Sequence, residues 1–291
     1  MERFINHIVQ SYSMARQFSQ IGETDITRLL SSDNVSGIID SRRLSGIESL
    51  YVDGRPAIIS KQLGSGGSKE VYDVSVDGEH YALALPGTAD PAQIIIAKWS
   101  KVLKEPTNTN RLRELGLHVN DLCRVVPSTV NGHEFPALVM KRYSDHNFPI
   151  YDSKNPQGNY HELIKPDQQV TDEQGVSFFS PVGTEIVALV RNGAQLGRDC
   201  FNLCAIDGVP HLYLNDLGAA TFGEIPQGDL ERYVAAYVSS ALGAFVNTAT
   251  ERVYRENPYV HSMGDLESSL QPKLVAKVMD TLKESSPSSR S

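Results

Sequence analysis

Cysteine is scarce in this chain: three in 291 residues, Cys123, Cys200 and Cys204. An odd number at these spacings gives no paired framework, so a reducing compartment is the simpler expectation. Zinc-type spacing is missing too, and the eight histidines form no H-E-x-x-H or comparable cluster. No apolar run is long enough to cross a membrane. The N-terminus lacks the positive-then-apolar pattern of a secretory signal, although a type III or type IV export signal is invisible to such rules. Positive charge is also short, with 27 Lys and Arg against 35 Asp and Glu and a net charge of −8. Without a basic run to neutralise phosphates, nucleic acid is not expected as the main partner. What is left is an ordinary globular composition, 40% hydrophobic and 21% charged. It suffices for a real core, in one bilobal domain or two small ones.

The most informative pattern lies near residue 210. Leu203–Ile206 and His211–Leu214 read as strand flanks around Asp207-Gly208, a strong short-turn signal. Folding there brings Asn202 next to Asn215 and Asp216. An amide oxygen and a carboxylate then converge at one end of a hairpin, and hard oxygen ligands of this kind suit Mg²⁺ carrying nucleotide phosphates. A second pattern comes about 135 residues earlier. Residues 61–85 read as strand, glycine loop, strand, Asp77-Gly78 turn and strand. Gly64, Gly66 and Gly67, with Ser65 and Ser68 between and after them, let backbone N–H groups approach a phosphate closely.

With these residues in place, the chain resembles the protein-kinase family. Gly64 to Val71 is similar to the family's G-x-G-x-x-G-x-V, and Tyr81-Ala82-Leu83-Ala84 stands where V-A-I-K is usual. Gly197-Arg198-Asp199 followed by Asn202 resembles a catalytic loop, and Asp216-Leu217-Gly218 resembles D-F-G. The order of the motifs is right over roughly residues 58–222. The terse C-terminal part is more similar to the short kinases that pathogenic bacteria inject into host cells than to ordinary eukaryotic ones. The resemblance implies an α+β, bilobal, protein-kinase-like fold, with a mainly β small lobe and a reduced, mainly helical large lobe. It implies ATP and Mg²⁺ as cofactors, with Asn202 and Asp216 as metal ligands and Asp199 as the base for a Ser or Thr hydroxyl. It also implies nucleotide contacts from the 64–69 loop, Val71, Ala82, Met140 and Arg142. The partners implied are a host protein substrate and a host activator, and the location is the host cell cytoplasm.

The departures matter as much. Ala84 occupies the place of the lysine that holds the α- and β-phosphates. If Asp77-Gly78 is a two-residue turn, Val76 faces Glu79 and Val71 faces Ala84, so Lys69 lies on the face of Ala84, diagonally adjacent. That resembles the "with no lysine" kinases, whose catalytic lysine comes from this second strand. Three readings of position 84 stand. Lys69 is a relocated phosphate lysine, or alanine replaces a natural lysine, or the protein is a pseudokinase. The lysine needs an acidic partner on the following helix, read as Ala92 to Lys104 after Asp90-Pro91. Glu105 is preferred, with Pro106 ending the helix; Glu114 is the alternative. Asp199 lies three residues before Asn202 where the family has five, and Gly197 holds the five-residue position.

The remainder is organisation. Residues 1–50 are expected as an N-terminal extension, with a helix over 1–20 and a polar stretch over 21–50 that either packs on the core or acts separately. Residues 51–143 form the small lobe, with strand 135–143 leading to a hinge whose backbone, Met140 to Tyr143, meets adenine. Residues 144–284 form the large lobe, of which 144–180 is a long surface insertion. Helices are expected over Thr184–Gln195, Asp229 to about Arg255, and Pro272–Leu282, and a disordered tail over 285–291. Two other functions stay open: a non-catalytic binding module, and transfer of another group such as AMP. Small-molecule phosphorylation is disfavoured because residue 197 is Gly where H-x-D loops carry histidine.

Overall fold

The structure, a computed structural model, describes residues 18–19, 21–142, 172–206, 209–249 and 268–284. The expected N-terminal helix, the Asp207-Gly208 turn, most of the 144–180 insertion and the Ser-rich tail lie outside these residues. Helix and strand are both abundant, and the fold is of the α+β class. The chain divides into two compact units, Met1–Thr109 with Asn120–Arg142, and Asn110–Val119 with Tyr143–Ser291.

The first unit is built on a closed six-stranded antiparallel barrel. Its strands are β1 (Leu50–Val52), β2 (Arg55–Ser65), β3 (Lys69–Val76), β4 (Glu79–Pro86), β6 (Cys123–Val130) and β7 (His133–Lys141), in the order β1-β2-β3-β4-β7-β6. Strand β5 (His118–Val119) belongs to the second unit. Three tight turns set the barrel's registers. Asp53-Gly54, Asp77-Gly78 and Asn131-Gly132 all have positive φ at both positions, the conformation whose twist matches that of the flanking strands. The Asp77-Gly78 turn gives Val76↔Glu79 and Val71↔Ala84 as expected.

Strand β4 explains the core. Its residues Tyr81 to Pro86 are all buried, as befits a strand covered on both faces. Tyr81, Leu83 and Leu85 point into the barrel with Val52, Val74, Val126 and Val139. Ala84 lies on the outer face, which two helices cover: α2 (Ser32–Ser45) and α3 (Ala92–Val102). Helix α2 follows a short helix, α1 (Glu23–Leu29), and starts at Ser31, whose Oγ accepts from the Asn34 amide. It buries Val35, Ile38, Ile39 and Arg42, one stripe at helical spacing. The 21–45 stretch is thus core-forming. Burying three aliphatic side chains contributes on the order of 5–9 kcal/mol before ordering costs. From α3, fully buried Trp99 donates Nε1–H to the Pro136 carbonyl at 2.8 Å.

Pro106 does not end α3. Helix α3 stops at Val102, and a new helix, α4 (Glu105–Glu114), begins at Glu105. A proline in the first turn loses no hydrogen bond, because the N–H it lacks has no intrahelical partner there.

The second unit has a three-stranded sheet, β5-β10-β9, from β9 (Phe201–Ile206) and β10 (Val209–Leu214), with β5 parallel to β10. Its helices are α5 (Asp172–Phe178), α6 (Ser180–Arg191), α7 (Leu230–Ala249) and α8 (Gln271–Glu284). Helix α5 lies in the stretch expected to be an insertion without regular structure. Helix α6 starts before the expected Thr184 because Pro181 suits a first turn. It stops at Arg191 because Gly193 turns the chain at φ +62°, where a Cβ would sit 1.8 Å from the Gly223 carbonyl oxygen. Gly223 donates its amide to Gly193 O, next to a two-stranded ladder of β8 (Ala194–Gln195) and β11 (Thr221–Phe222). Val182, Ile186, Leu189, Val234, Tyr237, Leu242, Leu274 and Val278 form the core with Leu203, Leu212 and Leu214. Tyr237 donates its hydroxyl to Ala194 O and accepts from the Leu196 amide; burial pushes its pKa up to about 12.

Candidate functional site

The first unit gathers one set of expected residues on the outer face of the barrel. Val71 pairs with Ala84, Lys69 with Pro86, and Ala82 with Met140. Opposed residues share a face and so do residues two apart, which puts Lys69, Val71, Ala82, Ala84 and Met140 together. Ala84 is fully buried in the apolar cluster with Ile95, Trp99 and Leu138. Lys69 reaches past it, and its Nζ donates to Glu105 Oε2 at 3.0 Å. Only 16% of the lysine side chain and 5% of the glutamate side chain are exposed. Glu105 occupies the first turn of α4, where the helix dipole favours a carboxylate. Glu114 is exposed at the other end of that helix.

The glycine loop is exposed from Gly64 to Ser68 and turns tightly, with the Gly66 amide donating to Lys69 O at 2.9 Å. A residue not foreseen from the sequence holds it. Lys98 on α3 donates to Gly67 O at 2.8 Å and to Asp90 Oδ2 at 2.6 Å. Nor was Arg42 foreseen. From α2 it donates to Pro86 O, to Tyr72 Oη and to Glu70, beside the loop strands. No local pattern marks the loop contact of Lys98 or those of Arg42, which join residues 28 or more apart in sequence.

Two residues expected to contact the nucleotide, Met140 and Arg142, lie at the end of β7. Met140 lies inside the sheet, paired to Ala82 on one side and Cys123 on the other, so its main chain belongs to the ladder. Lys141 donates its amide to Leu122 O and to Asn120 Oδ1. The first residue past the ladder is Arg142, and Tyr143 lies outside the described residues. The Arg142 guanidinium reaches Asp73 Oδ2 at 3.2 Å, and His80 Nδ1 lies 2.8 Å from Asp73 Oδ1. Burial alone would raise the Asp73 pKa, but these two partners outweigh it and hold the carboxyl below its ordinary range.

The second unit gathers the other set at the open end of the β9–β10 hairpin. Phe201 pairs with Leu214 and Asn202 with Tyr213, and the Asn215 amide donates to Cys200 O at 3.1 Å. The Asn202 Nδ2 donates to Asn215 Oδ1 at 2.8 Å. That bond engages the nitrogen of the Asn202 amide and turns its oxygen the other way. Asp216 has φ 52° and ψ 47°, the left-handed conformation. The other three non-glycine residues of positive φ among those described each precede a glycine in a tight turn; Asp216 does not. Its carbonyl accepts from the Cys200 thiol, while the residue itself is exposed. Asp199 is exposed on a single 3₁₀ turn, Arg198–Cys200. Its carboxylate folds back over Gly197, where a Cβ would meet Oδ1 at 2.5 Å. A glycine at 197 therefore fits the short spacing between Asp199 and Asn202.

These residues fit Mg²⁺ and a nucleotide on chemical grounds. The Asn202 oxygen and the Asp216 carboxylate are hard donors in a partly hydrated setting, which Mg²⁺ prefers. A Cβ at Gly64 would meet nothing within 4 Å, so a phosphate can approach the backbone there. All three cysteines are buried, and none is in a disulfide. No helix among the described residues is long and apolar enough to cross a membrane.

No protein-family model matches the chain, and no curated protein sequence matches it. Among solved structures, the chain is similar to the kinase domain of PknI from Mycobacterium tuberculosis in a single-mutant form and two double-mutant forms. Sequence identity is 14% in each case; the alignments cover 80%, 80% and 78% of this chain and 96%, 97% and 94% of those chains, with TM-scores of 0.37, 0.38 and 0.36.

Proposed function

We propose that this chain is an ATP- and Mg²⁺-dependent phosphotransferase of kinase-like design whose acceptor is a Ser or Thr hydroxyl of a protein. The observation that carries the reading is the Lys69–Glu105 ion pair, next to a glycine loop and beside a position 84 that is fully buried and apolar. Desolvating a lysine and a glutamate costs several kcal/mol each, which their attraction only roughly offsets. A pair without another use is therefore weakly supported by stability alone. As a phosphate ligand, Lys69 is useful: Glu105 positions its ammonium beside the glycine loop, and an ammonium is a three-donor cation suited to phosphate oxygens.

In this reading Lys69 and the 64–68 backbone bind and neutralise phosphates. Asn202 and Asp216 hold the metal, and Asp199 orients the acceptor hydroxyl and takes its proton. The bound nucleotide supplies the transferable γ-phosphoryl group, and Mg²⁺ neutralises charge on it. The protein's share is positioning and electrostatic stabilisation. Arg142, committed to Asp73, is assigned a structural part beside the nucleotide. A host protein substrate, a host activator and action in the host cell cytoplasm extend the same reading, on the resemblance to injected kinases.

The test is transfer of labelled γ-phosphate to the protein itself and to a generic protein acceptor. The unaltered chain should be active, and Lys69→Ala should reduce transfer by at least about 100-fold, the scale of losing one preorganised charge contact. Activity confined to Ala84→Lys would overturn the relocated lysine and mark Ala84 as a disabling residue. No transfer by any folded form would leave a binding module, or transfer of AMP, which labelled α-phosphate would detect.

A further inference from the structure

We propose that His118, Glu185 and His211 form a binding site for a zinc-class divalent ion, on the second unit and outside the set assigned to nucleotide and Mg²⁺. The three residues come from three elements, β5, α6 and β10, and each is half-buried. One ligand atom from each lies within 4.8 Å of the other two. Glu185 Oε1 is 2.8 Å from His211 Nδ1 and 3.8 Å from His118 Nε2. The imidazoles meet edge to face, their centroids 5.1 Å apart.

The backbone explains why a carboxylate stands there. Strand β5 pairs only with Tyr213 and Leu214 of β10, so the Leu212 amide lies beyond its end. Glu185 Oε2 accepts from that amide at 2.6 Å. One carboxylate oxygen is thereby fixed by main chain, and the other is aimed at two imidazoles. Ligating carboxylates are oriented by second hydrogen bonds of this kind. Two imidazoles and one carboxylate select a borderline transition ion over Mg²⁺ or Ca²⁺, and His₂Glu is a known zinc set that leaves a fourth position for water. Metal–ligand bonds of about 2.0–2.1 Å in a tetrahedral arrangement place donor atoms roughly 3.3 Å apart. The separations of 2.8 and 3.8 Å bracket that spacing, so small side-chain rotations complete the site. The ion would replace the His211–Glu185 hydrogen bond, with the ring proton of His211 moved to Nε2, and would tie α6 to the hairpin that carries Asn202.

The experiment is calorimetric titration of the full chain with Zn²⁺ alone, in excess Mg²⁺, alongside His118→Gln, His211→Gln and Glu185→Gln. Glu185→Gln keeps an acceptor for the Leu212 amide, which guards against a folding artefact; circular dichroism checks each variant. We expect one Zn²⁺ per chain, and loss of at least about 100-fold in affinity in each variant, because even outer-shell partners cost 10–100-fold. Asp216→Asn should bind Zn²⁺ as the parent does, which separates this site from the proposed Mg²⁺ ligands. Equal affinity in parent and triad variants would overturn the proposal, since binding would then lie elsewhere. No binding by the folded parent would also overturn it, leaving the three side chains as a hydrogen-bonded latch.

Discussion

The two units hold the polar residues assigned to phosphate and metal in opposite ways. In the first, charge is drawn inside and paired: Lys69 with Glu105, Arg42 with Glu70, and Asp73 with Arg142 and His80. In the second, Asp199 and Asp216 are exposed, and the joint beside Asp216 is a neutral amide pair, Asn202 with Asn215. On the proposed function, the difference matches what each set would bind. A lysine serves a phosphate best when its stem is fixed beforehand, and an opposed carboxylate fixes it. Carboxylates that take a hydrated Mg²⁺ must stay open to its waters. One unit should therefore lose stability when its polar residues are changed, and the other should lose activity while staying folded.

The largest expected effect is at Lys69. Lys69→Ala leaves Glu105 buried without this partner, and removing one member of a buried pair typically costs about 3–5 kcal/mol. Urea unfolding should show that loss. The double variant Lys69→Met with Glu105→Leu should recover most of it, because the lone charge is gone. A loss below about 1 kcal/mol in the single variant would class the pair with surface ion pairs, and the contrast between the units would collapse.

Acid should expose the same contrast more gently. The Asp73 carboxyl is held below its ordinary range because His80 and Arg142 outweigh the opposing effect of burial. A depressed carboxylate stabilises the fold above its unfolded pKa, near 4, and that contribution is lost as pH falls through the folded value. Stability should therefore fall below about pH 4, and Asp73→Asn should flatten that acid limb while costing stability at neutral pH. An unchanged acid limb in the variant would show that other carboxylates govern it.

How far the sequence anticipated this molecule depends on the range of each signal. Asp77-Gly78 is local, two residues whose positive φ fixes a register, so the Val71↔Ala84 pairing and the diagonal place of Lys69 could be read directly. The convergence of Asn202 on Asn215 followed from hairpin logic in the same way. The end of α3 was misread because Pro106 is compatible both with stopping one helix and with starting the next. The 21–45 stretch looked polar, since its buried residues, Leu29, Val35, Ile38, Ile39 and Arg42, are scattered singly or in one pair among polar ones. His118, Glu185 and His211 were out of reach altogether. They stand 67 and 26 residues apart in sequence, and only the parallel pairing of β5 with β10 and the packing of α6 bring them together. Contacts set by tertiary packing leave no spacing to read.

The smallest expected effect on stability is also the sharpest test of the contrast. Asp216 is exposed, with a left-handed backbone and a carbonyl that accepts from the Cys200 thiol. Asparagine tolerates that backbone about as well as aspartate does. Asp216→Asn should therefore change unfolding free energy by no more than about 0.5 kcal/mol, the usual range for exposed substitutions. Its effect belongs to chemistry, because an amide brings no negative charge to a metal ion. Phosphoryl transfer should fall at least tenfold at limiting Mg²⁺ and recover in part when Mg²⁺ is raised, as a weakened metal site requires. Unchanged transfer at limiting Mg²⁺ would remove Asp216 from the metal assignment. A large loss of stability would instead show that the second unit, like the first, keeps its acids for structure, and the division of labour between the units would be wrong.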